Sequence, residues 1–83
     1  RNIKAFIHIA LPNKTAYKEF LKVAKDDDRI VECHHITGDD CLLLKVIVKD
    51  MYELESVIDA IKKVGTTKTS VILSTPIQSK SIL

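Results

Sequence analysis

Two histidines, two aspartates and a cysteine crowd into His34-His35-Ile36-Thr37-Gly38-Asp39-Asp40-Cys41, which runs straight into Leu42-Leu43-Leu44. Such side chains could ligate a metal, pair a thiol nucleophile with an imidazole base, or grip the charged ends of a small zwitterion. Each use demands its own geometry. Neighbouring residues on a strand point to opposite faces, so His34 and His35 cannot share one ion without a bulge, and no CxxC, HxH or HExxH spacing supports a metal site. No metal and no other cofactor is expected. A cysteine nucleophile would need His34 or His35 within hydrogen-bond reach, and no oxyanion-hole glycines accompany them. No catalytic residue is assigned and the chain is read as a non-enzyme, with a small enzyme that depends on Cys41 or His35 as the competing reading. Gly38-Asp39-Asp40 reads most simply as a turn, because Gly and Asp supply backbone freedom and local hydrogen bonds. At a junction between subunits the same turn could offer N–H groups and carboxylates to a small zwitterion.

The elements that position this turn follow from periodicity. From Ile3 to Leu11 the residues Ile3, Ala5, Ile7, Ile9 and Leu11 alternate with Lys4, Phe6, His8 and Ala10, the period of a strand. Pro12 breaks it, and Asn13 or Thr15 can cap a helix whose Ala16, Tyr17, Phe20, Leu21 and Ala24 share a face and which stops near Lys25. Asp26-Asp27-Asp28 then reads as an exposed loop, since carboxylates at a helix C-terminus oppose the macrodipole. Arg29–Thr37 and Cys41–Lys49 are β-rich runs joined by the turn into a hairpin. Centred on Asp39, it sets Cys33 opposite Lys45 and Cys41 opposite Thr37, which leaves no disulfide pair and two thiols suited to a reducing cytosol. Asp50 with Glu53 resembles a capping box ahead of Met51, Leu54, Val57, Ile58 and Ile61, and Lys62 and Lys63 suit the helix end. Gly65 closes that helix, and Thr66–Thr75 is a last strand limited by Pro76.

The resulting order, β-α-β-β-α-β, is the α+β ferredoxin-like arrangement, with two helices on one face of a four-stranded antiparallel sheet. The other face should be bare, yet Phe6 and Ala10 lie on it, and Leu42 to Val48 is apolar on both sides. A second subunit is expected to cover it, with Phe6, His8, Ala10, Leu43 and Ile47 at a homodimer interface. In 83 residues, 13 basic and 11 acidic side chains are interspersed for a net charge of +2, which gives no stripe for phosphates. No apolar run approaches the roughly 20 residues of a membrane span, and no signal-peptide pattern opens the chain, so no membrane partner is expected and the location reads as cytoplasmic. The chain opens on Arg1 and is expected to be processed or cut from a longer one.

The stretch from Val31 to Val46 resembles the "V-x-E-C-x-x-(V/I)-T-G-x-x-D/C-x-L-L-K-V" segment of the Lrp/AsnC, or feast/famine, regulators. Asp50-Met51-Tyr52-Glu53-Leu54-Glu55 resembles the family's "D-M-x-x-L-E", and Gly65 to Ser74 its "G-T-T-x-T-S-I-V-L-S" strand. The resemblance covers nearly the whole chain and is to the effector-binding and oligomerisation (RAM) domain. It implies a βαββαβ fold, dimers packed sheet to sheet, further assembly into octamers, and an amino-acid effector bound between dimers. It also implies that DNA is bound only through a helix-turn-helix domain absent from this sequence. Carried over by position, Gly38, Asp39, Asp40 and Cys41 fall on the effector loop and Thr67 and Thr69 on the facing strand. Cys41 and Leu42 stand where the common form has aspartate and tyrosine. A free-standing assembly domain without a DNA-binding half is the alternative.

Overall fold

The computed structural model describes residues 2–38 and 41–81. β1 (Ile3–Ala10), α1 (Lys14–Lys25), β2 (Ile30–His35), β3 (Cys41–Val48), α2 (Met51–Ile61) and β4 (Thr66–Val71) follow in the expected order. The strands form one antiparallel sheet in the order β2-β3-β1-β4. Both inner strands obey the period of two. Ala5, Ile7 and Ile9 of β1 and Leu42, Leu44, Val46 and Val48 of β3 point under the helices and are buried with Phe20, Leu54, Val57 and Ile61.

Helix ends are fixed by side chains close in sequence. Of the two candidates, Asn13 is the cap of α1, its Oδ1 accepting from the Ala16 N–H at 2.9 Å. Asp50 does the same for α2 by accepting from the Glu53 N–H at 2.8 Å, while Glu53 reaches back to accept from the Lys49 N–H at 3.0 Å. The apolar stripe expected on α1 is wider than the part that is buried. Ala16 and Phe20 enter the core, but Tyr17 and Leu21 lean out from its flank, as Met51 does on α2.

Four sequence expectations change. The last strand ends at Val71, not Thr75: Ala5 pairs with Val71, the Ile72 N–H donates to the Lys4 carbonyl at 2.9 Å, and β1 itself begins only one residue before that, at Ile3. Gly65 does not close the helix, whose last residue is Ile61; a Cβ at Gly65 would lie 2.6 Å from the Ala10 carbonyl oxygen, so glycine is needed to let the chain pass close to β1. Asp27 is not simply solvated like Asp26 and Asp28. Its carboxylate forks onto the Arg29 guanidinium at 2.8 Å on both oxygens and also accepts from the Arg29 N–H.

The fourth change is the hairpin register. The Ile36 N–H donates to the Cys41 carbonyl, enclosing an even number of residues, so Cys33 pairs with Leu44, His34 with Leu43 and His35 with Leu42. A slip of one residue exchanges faces. Cys33 and His35 therefore lie on the helix side, and Glu32 and His34 on the open side. Val31 is the extra residue of a bulge between Ile30 and Glu32 that restores the pairing toward the start of β2.

Candidate functional site

Both helices pack on one side of the sheet and leave its other side open among the described residues. Register places Phe6, His8, Ala10, Leu43 and Ile47 together on it, the five residues expected at a subunit interface. One cross-strand row reads Lys68, His8, Leu43, His34, and the next Ser70, Phe6, Lys45, Glu32. In that second row the Glu32 carboxylate lies 2.9 Å from the His34 Nε2 and 3.9 Å from the Lys45 Nζ. The hydrogen bond with His34, aided by the charge of Lys45, holds the Glu32 carboxyl below its usual range. Glu32 and His34 are two apart on a strand, the spacing that puts side chains on one face, so this cluster had a legible signal that the misplaced register concealed.

The residues expected to hold an effector divide into two groups. Gly38 takes a φ of 120°, a conformation that favours glycine, at the hairpin turn. Asp39 and Asp40 lie outside the described residues. Cys41 is level with Ala10 and Thr66 and faces the open side. Thr67 and Thr69 pair with Ile9 and Ile7, face the helix side, and are half-buried on the edge strand β4. Cys41 and Thr67 are thus on opposite faces and two strand spacings, about 10 Å, apart. A single chain does not bring Cys41 and the threonines together on one face.

The two cysteines also diverge, Cys33 toward the helix side and Cys41 toward the open side. Burial pushes the Cys33 thiol up, the reverse of what activates a nucleophile. Cys41 and His35 point to opposite faces, whereas His34, the other base weighed for a cysteine nucleophile, shares the open side with Cys41. Among the described residues, no group of three His, Cys, Asp or Glu side chains converges to hold a metal ion.

A cleft of about 420 Å³ opens on the helix side, at the hairpin end of the sheet. It is lined by Leu11, Asn13, Lys14, Tyr17, His35 and Leu42. Sequence reasoning assigned Asn13 a cap and Tyr17 a core face, and gave Lys14 no role. Only the corrected hairpin register brings His35 to the same place.

Comparison with known proteins decides the family. The family model described as the Lrp/AsnC ligand binding domain matches residues 4–82. The chain belongs to the Lrp/AsnC family. The regulatory protein AsnC of Haemophilus influenzae is 30% identical over 80 residues, which are 92% of this chain and 53% of that protein. Escherichia coli AsnC superposes with a TM-score of 0.79 at 25% identity, over 95% of this chain and 56% of that one. A transcriptional regulator of Neisseria meningitidis, solved as a complex with L-Met, superposes with a TM-score of 0.82 at 22% identity, over 98% of this chain and 56% of that one. The likeness confirms the ferredoxin-like fold of this Lrp/AsnC domain, which spans about half the length of the relatives it matches. No helix among its described residues is long and apolar enough to cross a membrane.

Proposed function

We propose that this Lrp/AsnC domain is the sensing and assembly part of a transcriptional regulator. In this reading it acts in the cytoplasm, pairs with itself through the open sheet face, and takes an amino acid between dimers. DNA is contacted by a helix-turn-helix part of the parent protein, and the domain itself performs no catalysis. The observation that carries the reading is the match to the family's ligand binding domain over residues 4–82.

Two features of the chain support the assembly it requires. The open face combines Phe6, Leu43 and Ile47 with charged groups, a composition suited to an interface between chains. Cys41 is separated from Thr67 and Thr69 by the sheet itself, so a ligand touching both groups must sit where the hairpin of one chain meets β4 of another. Such a ligand alters regulation only if it binds one assembly better than another. The dimer–dimer contact is the element it would bias.

A thermal-shift screen against the twenty amino acids tests this. Ligand at about 100 times its Kd stabilises by about 2.7 kcal/mol, which is worth several degrees in a domain this small. The expected result is a rise with one or a few amino acids that Thr67→Val abolishes. A flat response to all twenty would leave a domain that assembles without sensing amino acids.

A further inference from the structure

Position 8 stands apart on the open side of the sheet. His8 lies on the inner strand β1, level with Lys68 of β4 and Leu43 of β3, and between Phe6 and Ala10 along its own strand. Its diagonal neighbours on this face are Thr66 and Ser70 of β4 and Cys41 and Lys45 of β3. Lysines and apolar side chains thus surround it, and none of these neighbouring positions is acidic. In the single chain His8 is exposed, where water can solvate a charged ring.

The other open-side histidine is placed differently. His34 on β2 has the Glu32 carboxylate 2.9 Å from its Nε2, so a proton taken up there meets an acceptor already in place. Lys45 approaches the same carboxylate at 3.9 Å. Register puts Lys4, Lys45 and Lys68 on the open side, with Glu32 as the one carboxylate there among the described residues of the four strands. A two-fold contact sets a surface against its own copy, so this excess of positive charge is presented twice. Covering the face with a second chain takes His8 out of water beside Phe6 and Leu43, where desolvation and like charges both disfavour a protonated ring.

We propose that His8 makes the pairing of two chains through the open face depend on pH, tight while its ring is neutral and looser once the ring takes up a proton. The proposal rests on that self-pairing and adds its regulation. His35 lies on the helix side, and His34 keeps a charge partner within its own chain, which leaves His8 as the histidine whose protonation the interface opposes. The neutral ring is the associated form, so association weakens as pH falls and recovers as it rises. Any ligand site shared between chains is lost with it.

Equilibrium sedimentation of the intact chain at about pH 7.5 and about pH 5.5, either side of the range in which histidines titrate, provides the test. A histidine of ordinary pKa, about 6.5, that must release its proton on association raises Kd about tenfold at the lower pH, and one from each chain about a hundredfold. The wild-type dimer Kd should therefore rise at least about tenfold. His8→Gln, neutral at both pH values, should cut the rise below about threefold, and His34→Gln should leave most of it. His8→Lys, which carries its charge without acid, should weaken the dimer already at about pH 7.5. A wild-type Kd that stays constant or falls on acidification would overturn the proposal while the pairing stands. So would a response that His8→Gln retains or His34→Gln abolishes, or a His8→Lys dimer as tight as the wild type. A chain that is monomeric at both pH values overturns the pairing itself, and the switch with it.

Discussion

On the helix side of the sheet Ala5, Ile7, Ile9, Leu44 and Val46 are fully buried, whereas their neighbours on the open side, Phe6, His8, Lys45 and Ile47, mix apolar with charged or titratable groups. The same strands supply both sets by alternation. The covered side is uniform because two helices remove it from water and any charge there would be stranded. A face meant for water alone would not spend Phe6, Leu43 and Ile47, and one meant for a core would not carry Lys4, Lys45 and Lys68. Mixed character is what distinguishes a surface used between chains from one used within a chain.

The sharpest contrast should come from adjacent leucines on β3. Leu44→Ala, on the covered side, should cost about 2–5 kcal/mol of folding stability in urea titration, because the fully buried site cannot collapse around the cavity. Leu43→Ala should change stability far less at low protein concentration and act on self-association instead. Equal losses in both would erase the distinction between the faces.

Gly65→Val should cost about 1–3 kcal/mol, since the new Cβ meets the Ala10 carbonyl oxygen at 2.6 Å and the Ile9 side chain at 2.8 Å. Thermal melting should show the loss. A neutral result would mean that the crossing from α2 to β4 can move away from β1, loosening the pairing that defines both faces.

The smallest effect concerns Asp27. The side-chain hydrogen bonds from Arg29, with its charge, outweigh burial and hold the Asp27 carboxyl below its usual range. A carboxyl with a lower pKa folded than unfolded stabilises the fold above its unfolded value of about 3.9 and loses that contribution as pH falls through the folded value. Asp27→Asn should therefore cost about 1 kcal/mol at neutral pH. The gap between the two melting curves should narrow as the solution is acidified below about pH 4, and a gap that widens would contradict the assignment.

Element order, the Asp50 cap, the choice of α1 cap down to Asn13 or Thr15, and the glycine at the hairpin turn were legible because each rests on contacts within a few residues: the alternation in β1, Asn13 on Ala16, Asp50 on Glu53. What could not be read were the quantities set across the sheet. The hairpin encloses an even number of residues, and that single step decides whether His35 faces the helices or the open side. The end of β4 depends on where β1 begins, and Gly65 on how near β1 passes. The open-face residues were found because alternation alone exposes them. The cleft was not, because Lys14 and His35 are neighbours only through α1 packing over the corrected register.

Equilibrium sedimentation of the wild type beside Phe6→Asp tests the central claim most directly. In a lone chain the new carboxylate lies across from Lys45 and the fold survives; in a sheet-to-sheet dimer it becomes a buried charge. The account predicts a wild type that sediments as a dimer or larger and a folded variant that falls toward monomer, with the dimer Kd raised at least about tenfold, or about 1.4 kcal/mol. A monomeric wild type, or a variant that associates as tightly as the wild type, would contradict the use of this face for assembly.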